Sequence, residues 1–265
     1  MNDDRYAQYG AATGMVFVVL TVIGFLIVTP TPPDLNAPAQ EWSSYFLAHH
    51  RAVRAGLVIV AVGLFFFIWF LGTLSSLLRI AAGNPRLPSI VFGGGLLLTT
   101  TFLIGMAAEA VAAFRPQGVD SVLTRGLNDI FVMGGVIAVP AAAAFFGAIA
   151  LVILRSGALP AWLGWLALAT AVVQPLAFGT LFTKSGAFAG DGVLGLFVPV
   201  LTSVVTTFAL SALLTSWARQ SLREGHPSLT DRLRGAMTGA AAGAAAGARG
   251  EQVATGQRPG QRQGQ

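Results

Sequence analysis

The chain has 265 residues, 54% of them hydrophobic and only 10% charged, with no cysteine and a formal net charge of +5. A water-soluble domain carries about 25% charged residues, so this composition excludes an ordinary globular surface. The missing cysteines exclude disulfides, thiolate nucleophiles and thiolate metal sites.

Five long apolar runs, and a sixth lightly broken by polar residues, predict an all-α polytopic membrane protein with six transmembrane helices. A helix of about 20 apolar residues crosses a hydrocarbon core of about 30 Å. Residues 1–9 form the N-terminus and 10–29 the first helix. Its flank, Asp3, Asp4 and Arg5, is not the basic leader of a signal peptide, and "VTPTPPD" has no small-residue cleavage site. The helix is read as retained, and the prolines of that stretch end it.

The loop that follows holds a predicted short helix over residues 39–50. Trp42, Tyr45, Phe46 and His49 recur at helical spacing on one face, which suits an interfacial helix lying in the headgroup region. The second helix spans 54–80 and opens on Arg54. The third, 89–114, contains a single acid, Glu109. At 1.5 Å per residue Glu109 lies about 8 Å below the outer end of its helix. Its neighbours Gly105, Ala108, Ala112 and Ala113 are small and permit close helix contact.

The fourth helix, 129–154, opens on Asp129, with Asn128 as its expected cap. The fifth, 161–182, follows Pro160 and carries Trp162 and Trp165 as interface anchors. The sixth spans 192–217. Pro140, Pro175 and Pro199 fall inside helices, and each removes the bond to the carbonyl four residues earlier, at Val136, Ala171 and Gly195. Gln174 stands next to one of these kinks, and a buried amide beside freed carbonyls can line a cavity. Thr99 to Thr101, Thr206 and Thr207 sit in mid-helix, where hydroxyls bond their own backbone.

Three stretches, "YFLAHHRAVRAG", "FFFIWFLGTLSSLLR" and "LPAWLGWLALA", occur in that order. They resemble uncharacterised six-helix membrane proteins of actinobacteria, grouped as a domain of unknown function. The resemblance covers roughly residues 10–217 and implies the six-helix fold. It implies no activity, cofactor or site residue.

Residues 218–265 change character. "ARQSLREGHPSLTDRLRG" is charged, and the rest is a low-complexity Ala/Gly/Gln stretch that cannot bury a core. Seven arginines there face Glu224, Asp231 and Glu251, so most of the net charge lies in this tail. A basic juxtamembrane tail attracts anionic lipid. The arginines are sparse and have no interleaved aromatics, so no nucleic-acid partner is expected. With both termini inside, Arg5, Arg79, Arg86, Arg155 and the seven tail arginines fall on the inner side. Arg51, Arg54, Arg115, Arg125 and Lys184 fall outside. The inner excess favours an N-in, C-in orientation. The arginine-over-lysine bias with high Ala and Gly fits a GC-rich bacterial genome, hence the bacterial cytoplasmic membrane.

A polar cluster is expected near the outer surface, made of Glu109, Arg54, Arg51, His50 and Asp129. Its simplest form is a Glu109–Arg54 ion pair that clamps the third helix to the second; the other reading is a pocket for a ligand or a proton. A zinc site would need His50, Glu109 and Asp129 together. No helix interior carries a histidine, so paired haem ligation inside the membrane is excluded. No phosphate-loop, nucleophile-elbow, zinc-protease or dinucleotide fingerprint occurs. No cofactor or metal is therefore expected. The leading expectation is a non-enzymatic interaction, sensing or accessory protein with a lipid, protein or homo-oligomeric partner. The alternative is a small-molecule or ion carrier built on the outer cluster and the kinked helices, with Gln174, Pro140, Pro175 and Pro199 at mid-depth.

Overall fold

The computed structural model describes residues 3–28, 32–224, 230–235 and 238, and all regular structure among them is helical. The principal helices are α1 (Asp3–Val28), α2 (Ala39–Ala82), α3 (Arg86–Phe114), α4 (Ser121–Ile137), α5 (Val139–Ser156), α6 (Ala161–Val173) and α7 (Val198–Glu224). A 3₁₀ segment, Gln174–Leu181, prolongs α6, and a π-helical turn, Val193–Phe197, leads into α7. With α4 and α5 taken as one broken span, six helical stretches are long and apolar enough to cross a membrane. The low-complexity stretch from 239 onward and His226 lie outside the described residues.

The spans form a ring. α2 packs between α1 and α3, α3 meets both α4 and α5, α5 meets α6, and α7 closes the ring against α6 and α1. α1 and α2 are antiparallel neighbours in one register: Gly14 lies against Phe70, Phe17 against Phe67 with ring centroids 4.7 Å apart, and Gly24 against Val60. The two backbones meet at Gly24 and Gly56, where a Cβ on Gly56 would stand 2.6 Å from the Gly24 carbonyl oxygen. Only residues without a side chain let two helix backbones meet this closely.

Two apolar cores fill the ring. Around the C-terminal half of α2, Phe70, Leu71 and Leu74 pack with Phe145 and Ile149 of α5, Leu163 of α6 and Leu210 of α7. At the other end Val28, Trp42, Phe46 and Val53 pack with Met106, Ala112 and Ala113 of α3. The outward faces are also apolar: Leu26, Val58, Ile104, Val172 and Leu201 are all exposed. A chain that is hydrophobic inside and out has the pattern of a multi-pass membrane protein.

Three expectations are corrected. Residues 39–50 are helical but do not form a separate helix, because α2 runs unbroken for 44 residues from Ala39 to Ala82. Trp42, Tyr45 and Phe46 are buried against protein, on the same face that Val53, Leu57 and Val60 continue. The helix therefore has no reason to stop. α4 begins at Ser121, not 129, because the Asp120 carboxylate accepts the Val122 N–H at 2.8 Å and caps it there. Asn128 and Asp129 are then mid-helix and cap nothing. α7 runs to Glu224, past the expected end at 217, and residues 230–235 form a further helical turn whose Leu233 is 2% exposed in the first core. This part of the tail is docked.

Each interior proline lies at a helix break or a change of helix type. Pro140 is the second residue of α5, two residues after the break at Ala138, whose N–H bonds the Gly134 carbonyl at 3.1 Å and also reaches the Val136 carbonyl. Pro175 stands where α6 tightens to 3₁₀. Pro199 follows the π turn.

Candidate functional site

Glu109 occupies the buried stripe of α3 between Met106 and Ala112 and is 7% exposed. Small neighbours let α3 lie close to the helices on both sides, which seals the carboxyl from the exterior. Among the described residues no cation lies within ion-pair distance of it and no side-chain hydrogen bond reaches it. The phenol of Tyr45 lies within its electrostatic reach.

Tyr45 faces two ways. Its hydroxyl donates to the Val28 carbonyl at 2.5 Å and ties α2 to the end of α1. Its ring lies 4.8 Å from that of His49, whose Nδ1 is 3.0 Å from the Tyr45 carbonyl oxygen. Tyr45 and His49 line a shallow open depression with Pro33, Gln40, Glu41, Ser44 and Ala48. Tyr45 thus stands between this surface and the buried acid.

The α3–α4 register sets Gly105 against Phe131 and Thr101 beside Gly134. It therefore places Asn128 at the level of Glu109. Asn128 and Trp42 are each 4% exposed, and the Asn128 Nδ2 and Trp42 Nε1 atoms are buried without hydrogen-bond partners. Buried donors are normally satisfied. Two unsatisfied donors and an unpaired acid in one end of the bundle make this the most polar part of that core.

The five residues expected to cluster here do not. Arg54 is exposed and its Nε donates to the His50 carbonyl at 3.3 Å, so it does not pair with Glu109. Arg51 is exposed, and His50 Nδ1 lies 3.0 Å from the Leu47 carbonyl oxygen. Asp129 is half-buried on α4. Among the described residues no side-chain interaction joins Glu109, Arg51, His50 and Asp129, and no three histidine or acidic side chains converge as a metal group would. The physical reason is rotation. A shared membrane level does not put Arg54 on the buried stripe of α2, because Val53, Gly56 and Leu57 occupy it. Sequence reasoning missed Tyr45, which lies within electrostatic reach of Glu109, and the buried unpaired donors of Trp42 and Asn128 in the same end of the bundle. The signal for the first two was the aromatic face of residues 42–49; Asn128 carried none.

The second candidate region is a seam between the last two spans. Gln174 is 5% exposed, and its Nε2 donates to Ser203 Oγ at 2.9 Å and to the Pro199 carbonyl at 3.3 Å. One turn earlier, the Thr170 and Thr206 hydroxyl oxygens are 2.7 Å apart, and Thr170 Oγ1 also donates to the Leu166 carbonyl at 2.9 Å. Ser211 Oγ accepts the Met15 N–H at 2.8 Å and donates to the Ala11 carbonyl, joining α7 to α1. Thr99, Thr100 and Thr101 bond their own helix, each at 2.9 Å, as expected. Thr206 instead bonds across helices. This seam is hydrogen-bonded from side to side, with the Gln174 donors and the Thr170, Thr206 and Ser211 hydroxyls spent on neighbours. Comparison of the chain with family models, curated proteins and solved structures gives no match.

Proposed function

We propose that the chain is a multi-pass protein of the bacterial cytoplasmic membrane, with both termini inside, that works as a non-enzymatic interaction, sensing or accessory protein. The observation that carries this reading is Gln174. A carrier would expose such an amide to a polar cavity at mid-depth, whereas here Ser203 and the Pro199 carbonyl take its donors. The Thr170, Thr206 and Ser211 hydroxyls, farther along the same helices, are likewise bonded to neighbouring helices. The basic residues around the α2–α3 turn and the docked tail belong on the inner side. The resemblance to uncharacterised six-helix proteins adds no activity.

The carrier reading keeps one observation in its favour: helix type changes at Pro175 and at Pro199, on both sides of Gln174. Broken helices at mid-depth are a feature of transporters. Reconstitution into proteoliposomes with entrapped proton, sodium and potassium dyes separates the two. The accessory reading expects no flux above empty vesicles, and Gln174→Leu should cost stability alone. Flux that disappears in Gln174→Leu would replace it with the carrier. Orientation is tested in this cysteine-free chain with an impermeant maleimide: Gly118→Cys should label in intact cells and Gly260→Cys should not.

A further inference from the structure

The α2–α3 turn holds an open cleft of about 350 Å³ lined by Arg79, Ile80, Gly83, Asn84, Pro85 and Arg234. The turn is built for a sharp reversal. Gly83 adopts φ 65° and ends α2, while Asn84 accepts the Arg86 N–H at 3.2 Å and donates to the Ala82 carbonyl at 3.2 Å. Arg79, in the last turn of α2, is exposed and has no ion-pair partner among the described residues. Arg234 comes from far along the chain. It is brought to the cleft because its neighbour Leu233 is buried in the core with Leu77, Leu78 and Ala81. Its contact with Asp231 is a loose, exposed one at 3.8 Å, of the kind that holds a guanidinium weakly. Among the described residues no carboxylate lines the cleft.

Two arginines that face one opening from different segments present two planar donor forks, and such forks match the oxygens of a phosphate. The opening lies where two apolar spans end, the level at which lipid headgroups sit. We infer that this cleft binds the phosphate of an anionic lipid headgroup, clamped between Arg79 and Arg234, with Leu233 holding the second arginine in place. The tail is then more than a diffuse basic patch: one buried leucine converts one of its arginines into half of a defined site. The inference deepens the membrane reading above and rests on it.

The test is native mass spectrometry of the full chain in detergent, titrated separately with phosphatidylglycerol, phosphatidylcholine and inorganic phosphate. The chain should retain phosphatidylglycerol in preference to phosphatidylcholine. Arg79→Gln and Arg234→Gln should each weaken retention about fivefold, and the double substitution about thirtyfold, as expected for contacts to anionic lipid that act independently. Arg79→Lys should keep part of the affinity. Arg155→Gln, which removes another exposed arginine from the end of α5, should leave it unchanged. Equal loss in Arg155→Gln would overturn the site in favour of diffuse attraction, and so would equal retention of phosphatidylcholine. If inorganic phosphate binds with the same arginine dependence while the lipid shows none, the lipid source is overturned in favour of a free phosphate. Melting temperatures of all variants exclude misfolding as the cause. Alkaline carbonate extraction of the same membranes tests the membrane reading by itself: a chain that stays embedded yet shows no lipid preference sinks only this inference.

Discussion

The hydroxyl oxygens of Thr170 and Thr206 lie 2.7 Å apart, both residues fully buried, and join α6 to α7. The bond is asymmetric in what depends on it. Thr170 also donates to the Leu166 carbonyl, whereas among the described residues the Thr206 hydroxyl bonds Thr170 alone. Valine keeps the shape of threonine and removes the hydroxyl. Thr170→Val strands a buried hydroxyl and should cost about 1 kcal/mol, within the range measured for hydrogen bonds between membrane helices. Thr206→Val should cost less, since Thr170 keeps its backbone partner. The double change should cost less than the sum, because no polar group is then left unpaired. Melting temperatures in detergent read all three, and strictly additive losses would show that the two oxygens do not interact.

Glu109 should tolerate neutralisation. Among the described residues no cation lies within ion-pair distance of it, so Glu109→Gln keeps the volume and strands no partner. The melting temperature should be unchanged or higher. Arg54→Met should have a small effect of its own, and the double change should be additive. Breaking a buried ion pair instead costs about 3–5 kcal/mol, and a loss of that size in Glu109→Gln would restore the ion pair expected from sequence.

Gly56 and Gly72 on α2 make a matched pair. A Cβ on Gly56 would press on the Gly24 carbonyl at 2.6 Å, whereas one on Gly72 meets nothing within 4 Å. Gly56→Ala should destabilise by about 1–3 kcal/mol, the usual cost of overpacking. Gly72→Ala should be neutral or stabilising, by up to about 1 kcal/mol, through helix propensity. Equal effects at the two positions would mean that α1 and α2 are not in this register.

Tail truncations should separate at Leu233. Ending the chain after Gly235 should leave the melting temperature unchanged. Leu233→Ala should lower stability by about 2 kcal/mol, the low end for a buried leucine because this one sits at the rim of the core. If the two changes have the same small effect, the turn is not docked.

The six spans were legible because apolar length is a property of sequence alone, and Pro175 and Pro199 marked where helix type changes. Element ends were less legible. The start of α4 depends on one side chain, Asp120, capping a helix whose first turn contains little apolar periodicity. The start of α2 was legible and passed over: Trp42, Tyr45, Phe46 and His49 keep the helical spacing that runs on to Val53 and Leu57, but the polar residues between them read as a boundary. Burial of Glu109 could be read from its small neighbours. Its surroundings could not, because they depend on how far α2 is rotated about its axis. That rotation is set by the Gly24–Gly56 contact and by tertiary packing around Trp42.

α2 spans 44 residues without a proline, about 66 Å at 1.5 Å per residue, roughly twice the thickness of a hydrocarbon core. Sharp bends in helices arise at prolines and at π turns, and the spans with such joints are broken where α2, which has neither, runs on as one helix. It carries the Tyr45–His49 depression at one end and the Arg79 cleft at the other. The two openings are thus the ends of one continuous helix, which α1 braces from the Gly14–Phe70 contact to the Gly24–Val60 contact.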